Sequence, residues 1–147
     1  MARELDTIIT EFNAFRDTFN IFRRTVEVKT ETLIEYEARL VDLRADLRPH
    51  RKHVAAEWQK RDDKAATGIK FRIAIAIHKG EFRDDDNQLI YDICSINQAE
   101  KFASGSDSYK TFIDQRSFFK EALVNVTDLR NDIDGYINLI KDMLKTI

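Results

Sequence analysis

Three features of this sequence predict an all-α protein, a long helical hairpin or coiled coil with a short middle helix. The chain holds four glycines and one proline in 147 residues, too few for a sandwich or barrel that turns about every 8–12 residues. Charged residues make up 34% of it, which suits solvated helix faces. Apolar residues recur in steps of three and four near both ends of the chain, the spacing of a helix stripe or coiled-coil seam. The expected organisation is a single elongated helical domain over 1–147: a heptad helix over 1–48, a basic middle segment over 50–104 and a second heptad helix over 106–147.

The first helix rests on Leu5, Ile8, Phe12, Phe15, Phe19, Phe22, Val26, Leu33, Tyr36, Leu40, Leu43 and Leu47, a seam that only Lys29 interrupts. Glu35 and Arg39, at i,i+4, add modest surface support. One helix cannot bury its own stripe, so a partner is required from this chain or from another copy. The seam carries more aromatic surface than one intrachain partner needs. Phe12, Phe15, Phe19, Phe22, Leu40 and Leu43 are therefore expected to join copies into a homo-oligomer.

In the middle, residues 50–67 read as helix. The run from Ile69 to Ile77 alternates with period two, a strand signal, yet Ile69, Ile73, Ala76 and Ile77 also share one helical face and alanine favours helix. Helix is the expectation. The alternative pairs this run with residues 88–96 across the polar turn at Asp84, Asp85, Asp86 and Asn87. That helix–β-hairpin–helix arrangement resembles prefoldin subunits. Gly68, Gly80 and Gly105 are the expected punctuation points.

Beyond Gly105, with Ser106 or Asp107 as N-cap, the last helix carries Tyr109, Phe112, Phe119, Leu123, Val126, Ile133, Ile137, Ile140, Leu144 and Ile147 at the same spacing. Arg116 and Arg130 interrupt that stripe, and charged seam residues can fix register or partner choice. Gly135 costs this helix about 1 kcal/mol relative to alanine.

Catalytic chemistry has little foothold. The chain contains no GxGxxG, GxxxxGK[ST], HExxH or GxSxG motif, the signatures of dinucleotide, phosphate, zinc and acyl-transfer sites. His50 and His53 have a spacing two zinc ligands could share, but no third ligand is evident and Arg51 and Lys52 repel a cation. Cys94 is the only cysteine and sits in an apolar context that favours an inert thiol. The run from Asp84 to Asn87 lacks the glycine and glutamate of a calcium loop. The expectation is a non-enzymatic protein with no cofactor and no metal. With no apolar run of about 18–20 residues and no disulfide, it is expected to be cytoplasmic, or in the host cytoplasm if viral, with no membrane partner.

Charge distribution is more informative. Residues 44–83 hold eleven basic residues and five acidic ones, a net +6, while residues 1–43 carry −3 and residues 84–147 carry −5. A basic stripe with aromatic rings beside it, here Trp58 and Phe71, is how proteins hold single strands: charges track phosphates and rings stack on bases.

The element Ile69-Lys70-Phe71-Arg72-Ile73 resembles the hydrophobic–Lys–x–Arg–hydrophobic element of the UvsY family, the recombination mediators of tailed phages. The downstream pattern of Ala99, Glu100, Tyr109, Phe119, Leu123, Arg130, Ile133 and Ile137 is also similar to that family's C-terminal helix. The tyrosine pair and glycine that follow the basic element in the family are replaced here by Ile75, Ala76, Ile77 and Gly80. The resemblance implies a homo-oligomer that binds single-stranded DNA through Lys70 and Arg72 and assists a recombinase against single-strand-binding protein. Charge placement adds Arg61, Lys64 and Lys79 to the nucleic-acid-binding set, and Trp58 adds a stacking ring. The competing expectation is a helical assembly or protein-interaction subunit: a virion component, a holdase or an inhibitor of a host system.

Overall fold

A computed structural model describes residues 3–25 and 27–146. Those residues form five helices, α1 (Leu5–Phe22), α2 (Thr30–Gln59), α3 (Asp63–His78), α4 (Ile96–Gly105) and α5 (Asp107–Thr146). No strand occurs among them, so the class is all-α, and the hairpin expected as the alternative over 69–96 does not form. Only an isolated antiparallel bridge, Arg83 to Leu89, remains of it. The chain divides into two compact units, Met1–Val54 with Ala122–Ile147, and Ala55–Glu121.

The first unit is where the expected single helix over 1–48 is corrected. Its seam is carried by two helices separated by residues 23–29. Thr25, Val28 and Thr30 are β-branched, stiff at χ1 and poor in helix propensity, and Lys29 interrupts the seam at the same place. The Thr25 hydroxyl bonds the Phe22 carbonyl oxygen at 2.7 Å, and Thr25 N–H donates to the same oxygen at 3.1 Å, closing the end of α1. The seam position Val26, like Ile147 of the C-terminal stripe, lies outside the described residues.

Separating α1 from α2 lets the two halves of the stripe share one core. Ile8, Phe12, Phe15 and Phe19 of α1 pack with Leu33, Leu40, Leu43 and Leu47 of α2 and with Val126, Ile133, Ile137 and Ile140 of α5. Tyr36 and Tyr136 set their edges against the phenylalanines: Phe15 to Tyr36 is 5.5 Å between centroids at 83°, and Phe15 to Tyr136 is 5.7 Å at 86°. Edge-to-face pairs of this kind add about 0.5–1.5 kcal/mol each to the area they bury. Phe12, Phe15, Phe19, Leu40 and Leu43 are at most 3% exposed within one chain. Expected to join copies, these residues hold α1, α2 and α5 of one chain together, and Phe22 packs on the edge of the same cluster.

In the second unit, α3 is capped by Asp62, whose carboxylate accepts from Ala65 N–H at 2.9 Å, satisfying one free donor of the first turn. Ile69 packs beside Ile73, Ala74 and Ile77 of α3 against Ala99 and Ala103 of α4. The i,i+4 face thus decides between helix and strand. Gly68 sits inside α3 and does not punctuate the chain, whereas Gly80 follows its end with φ +70°. A Cβ there would lie 2.8 Å from Ile93 Cγ1, so the turn needs glycine on both counts. Residues 79–95 are irregular apart from turns and the Arg83–Leu89 bridge, and Phe82, Tyr91 and Phe102 stack over the α3–α4 core, with Tyr91 and Phe102 4.9 Å apart.

Ser106 takes the N-cap position foreseen for the last helix. It is 1% exposed, its hydroxyl donates to the Ala103 carbonyl at 2.8 Å and accepts from Tyr109 N–H at 3.2 Å. One buried side chain therefore ends α4 and starts α5. No helix is long and apolar enough to cross a membrane among the described residues.

Candidate nucleic-acid interface

From Lys64 to Gly80 the sequence contains no acidic residue, while it contains Lys64, Lys70, Arg72 and Lys79. Since α3 is a helix, these cations do not share one face. Successive residues turn by about 100°, so Lys70 and Arg72 point about 200° apart; a strand would have placed them side by side. Lys70 falls among Ala66, Ile73 and Ile77 on the α4-facing side and is half-buried. Its aliphatic stem can cover the small core while the ammonium reaches solvent.

The outward side of α3 carries Lys64, Phe71, Arg72, Ile75 and Lys79. Lys64, Arg72 and Lys79 are exposed, and the Phe71 ring is 55% exposed. At 1.5 Å per residue, Lys64 and Lys79 stand about 22 Å apart along the axis. Arg72 Nε donates to the Gly68 carbonyl at 3.4 Å, leaving its other guanidinium nitrogens outward. The face is a row of three cations flanking a bare aromatic ring.

Two other expected members are engaged elsewhere in the same unit. The Arg116 guanidinium lies 5.1 Å from the centroid of the Trp58 ring, and Lys120 Nζ 5.9 Å from it. Cations over an indole gain from its quadrupole and cover the surface a base would need. Arg61 bonds Glu57 at 2.7 Å and lies 4.7 Å from the Phe119 ring. The Glu57 carboxyl is held below its ordinary value of 4.5, chiefly by the hydrogen bond from Arg61 and then by that from Lys60. Trp58 and Arg61 therefore serve a cation–aromatic cluster joining the end of α2 to α5 within this unit. Sequence reasoning missed the role of Arg116 there; its place in an otherwise apolar stripe was the available signal.

The groups weighed for catalysis make local backbone contacts. His78 Nδ1 lies 2.7 Å from the Cys94 carbonyl oxygen, a backbone contact that does not involve the thiol. Asp84 Oδ1 accepts from Asp86 N–H at 3.0 Å and Gln88 N–H at 2.9 Å, a self-contained turn. Among the described residues no three His, Cys, Asp or Glu side chains converge as a metal site would require. Comparison of the chain with family models, with curated proteins and with solved structures finds no match.

Proposed function

We propose that this protein is a non-enzymatic, single-stranded-DNA-binding accessory of recombination that works as a homo-oligomer. The observation that carries the reading is the outward face of α3, where Lys64, Arg72 and Lys79 flank the exposed Phe71 and no acid intervenes. Ammonium and guanidinium groups neutralise phosphates, and a bare phenyl ring stacks on any base, so the face suits a strand without regard to sequence. The similarity of Ile69-Lys70-Phe71-Arg72-Ile73 to the mediator element is the second support, with Arg72 and Phe71 as its contributing residues and Lys70 in a packing role.

The test is fluorescence anisotropy with labelled oligo-dT over a salt series. Binding should weaken steeply with salt, and replacing Lys64, Arg72 and Lys79 together by alanine should lower the log–log slope by about 2, at roughly 0.7 per lost phosphate contact. Absence of binding in low salt sinks the reading.

A protein-interaction subunit is the second reading, favoured by Leu89, Ile90, Ile93 and Ile96, which are 38–70% exposed in the segment after α3. Exposed aliphatics in one short stretch mark interaction surfaces. Recovery of one stoichiometric protein partner, insensitive to nuclease and abolished by Ile93→Asp, would favour it over strand binding.

A further inference from the structure

The core of the first unit occupies one side of α2; the opposite side bears a second stripe. Ile34, Ala38, Val41 and Ala45 follow steps of four, three and four, and continue into Arg48 and Lys52. All six are exposed, with Ile34 at 54% and Val41 at 38%. A sustained three–four spacing of apolar residues is what a helix needs to pair with another helix, and no residue of this one is buried within the described chain.

Charge identifies the occupant. Residues 31–42 carry Glu31, Glu35, Glu37 and Asp42 against Arg39, a net −3; residues 44–52 carry Arg44, Arg48, Arg51 and Lys52 against Asp46, a net +3. Glu31, Glu35, Glu37, Asp42, Arg48 and Lys52 have no ion-pair partner among the described residues. A helix that is acidic at one end and basic at the other complements its own antiparallel copy.

We infer that α2 pairs antiparallel with α2 of a second copy of this chain about a two-fold axis. Ile34 then faces Ala45 of the second copy, Ala38 faces its Val41, and Glu31 approaches its Arg48. The interface is isologous, so each contact occurs twice. The alanines let the helices approach closely, and the opposed charges fix the antiparallel direction. One helix pair buries less than the ~1,600 Å² of a standard interface, so the dimer is reversible and salt-sensitive. This inference does not rest on strand binding by α3, because it concerns another helix and is read without nucleic acid.

Sedimentation velocity of the full chain across a concentration series, in low salt, tests it. The wild type should pass from monomer to dimer, and Val41→Asp should remain monomeric with unchanged circular dichroism. The charge argument has its own control. Glu31→Lys with Glu35→Lys makes both ends basic, and Arg48→Glu with Lys52→Glu makes both ends acidic. Each variant should self-associate at least tenfold more weakly, whereas their equimolar mixture should form a heterodimer. A wild type that stays monomeric at every concentration, a dimer indifferent to Val41→Asp, or a mixture that forms no heterodimer overturns the inference. Oligo-dT binding by the monomeric variant reads the α3 face separately.

Discussion

Arg116 Nε donates to the backbone carbonyl oxygen of Arg61 at 2.9 Å, two residues beyond the last residue of α2. The turn between α2 and α3 leaves this carbonyl outside any helix ladder, and the guanidinium answers it with a charge-assisted bond while lying 5.1 Å from the Trp58 ring centroid. The same side chain pairs with Asp63 at the start of α3. One residue of α5 therefore holds the junction between α2 and α3.

Arg116→Ala should destabilise the protein by about 1–3 kcal/mol, the range for a hydrogen bond from a charged group with a cation–π contact added. Arg116→Lys should recover less than half, because an ammonium lacks the planar fork. Chemical denaturation followed by Trp58 fluorescence measures both, and an unchanged midpoint for Arg116→Ala would refute the assignment.

Lys70 and Arg72 give a sharper contrast. Arg72→Ala should weaken oligo-dT binding several-fold and leave stability within about 0.5 kcal/mol, as for ordinary surface changes. Lys70→Ala should leave strand affinity near wild type. Equal losses from the two substitutions would contradict the helical placement of that pair.

At Phe15, 0% exposed, truncation to alanine should cost about 3–5 kcal/mol. Phe15→Asp should abolish the cooperative transition of the first unit. A helical, well-folded Phe15→Asp chain would show that the ring faces a partner and not the core.

Gly80→Ala meets two obstacles, φ of +70° and the Ile93 side chain at 2.8 Å. The expected cost is about 1–3 kcal/mol. Adding Ile93→Ala should relieve the steric share and leave the backbone share, so partial rescue in a thermal melt is the result to look for.

Acid should loosen the Glu57 cluster. Its carboxyl pKa is lowered in the folded chain, first by Arg61 and then by Lys60. A depressed carboxylate contributes stability above its unfolded pKa and loses it as pH falls through the folded value. The Glu57→Gln chain should therefore match wild type below that range and be the less stable of the two at neutral pH, as denaturation at several pH values would reveal.

Much of this architecture was legible in the residues. The three–four spacing of Phe12, Phe15, Phe19, Leu40 and Leu43 announced a helical face that must be covered, and Gly105 with Ser106 announced the start of α5. Periodicity could not say whether the stripe would be covered by α5 or by another copy, because spacing defines a face and not its occupant. The division at residues 23–29 was masked by the near-unbroken phase of the seam, although four β-branched residues from Thr25 to Thr30 weaken helix there. The basic segment was visible as composition. Which cations face outward depended on α3 being a helix, and Trp58 could not be seen as covered until Arg116, 58 positions later, was brought to it.

The first unit joins residues 1–54 to residues 122–147, and that division has a consequence for biosynthesis. Ile133, Ile137 and Ile140, which pack in one core with Phe15 and Phe19, leave the ribosome more than a hundred residues after them. Until then α1 and α2 can meet each other but not complete their core, and the phenylalanines stay open to chaperones and to premature association. The order of translation makes α5 a clasp, and nascent chains stalled before residue 122 are expected to be bound by a chaperone where chains that have completed α5 are released.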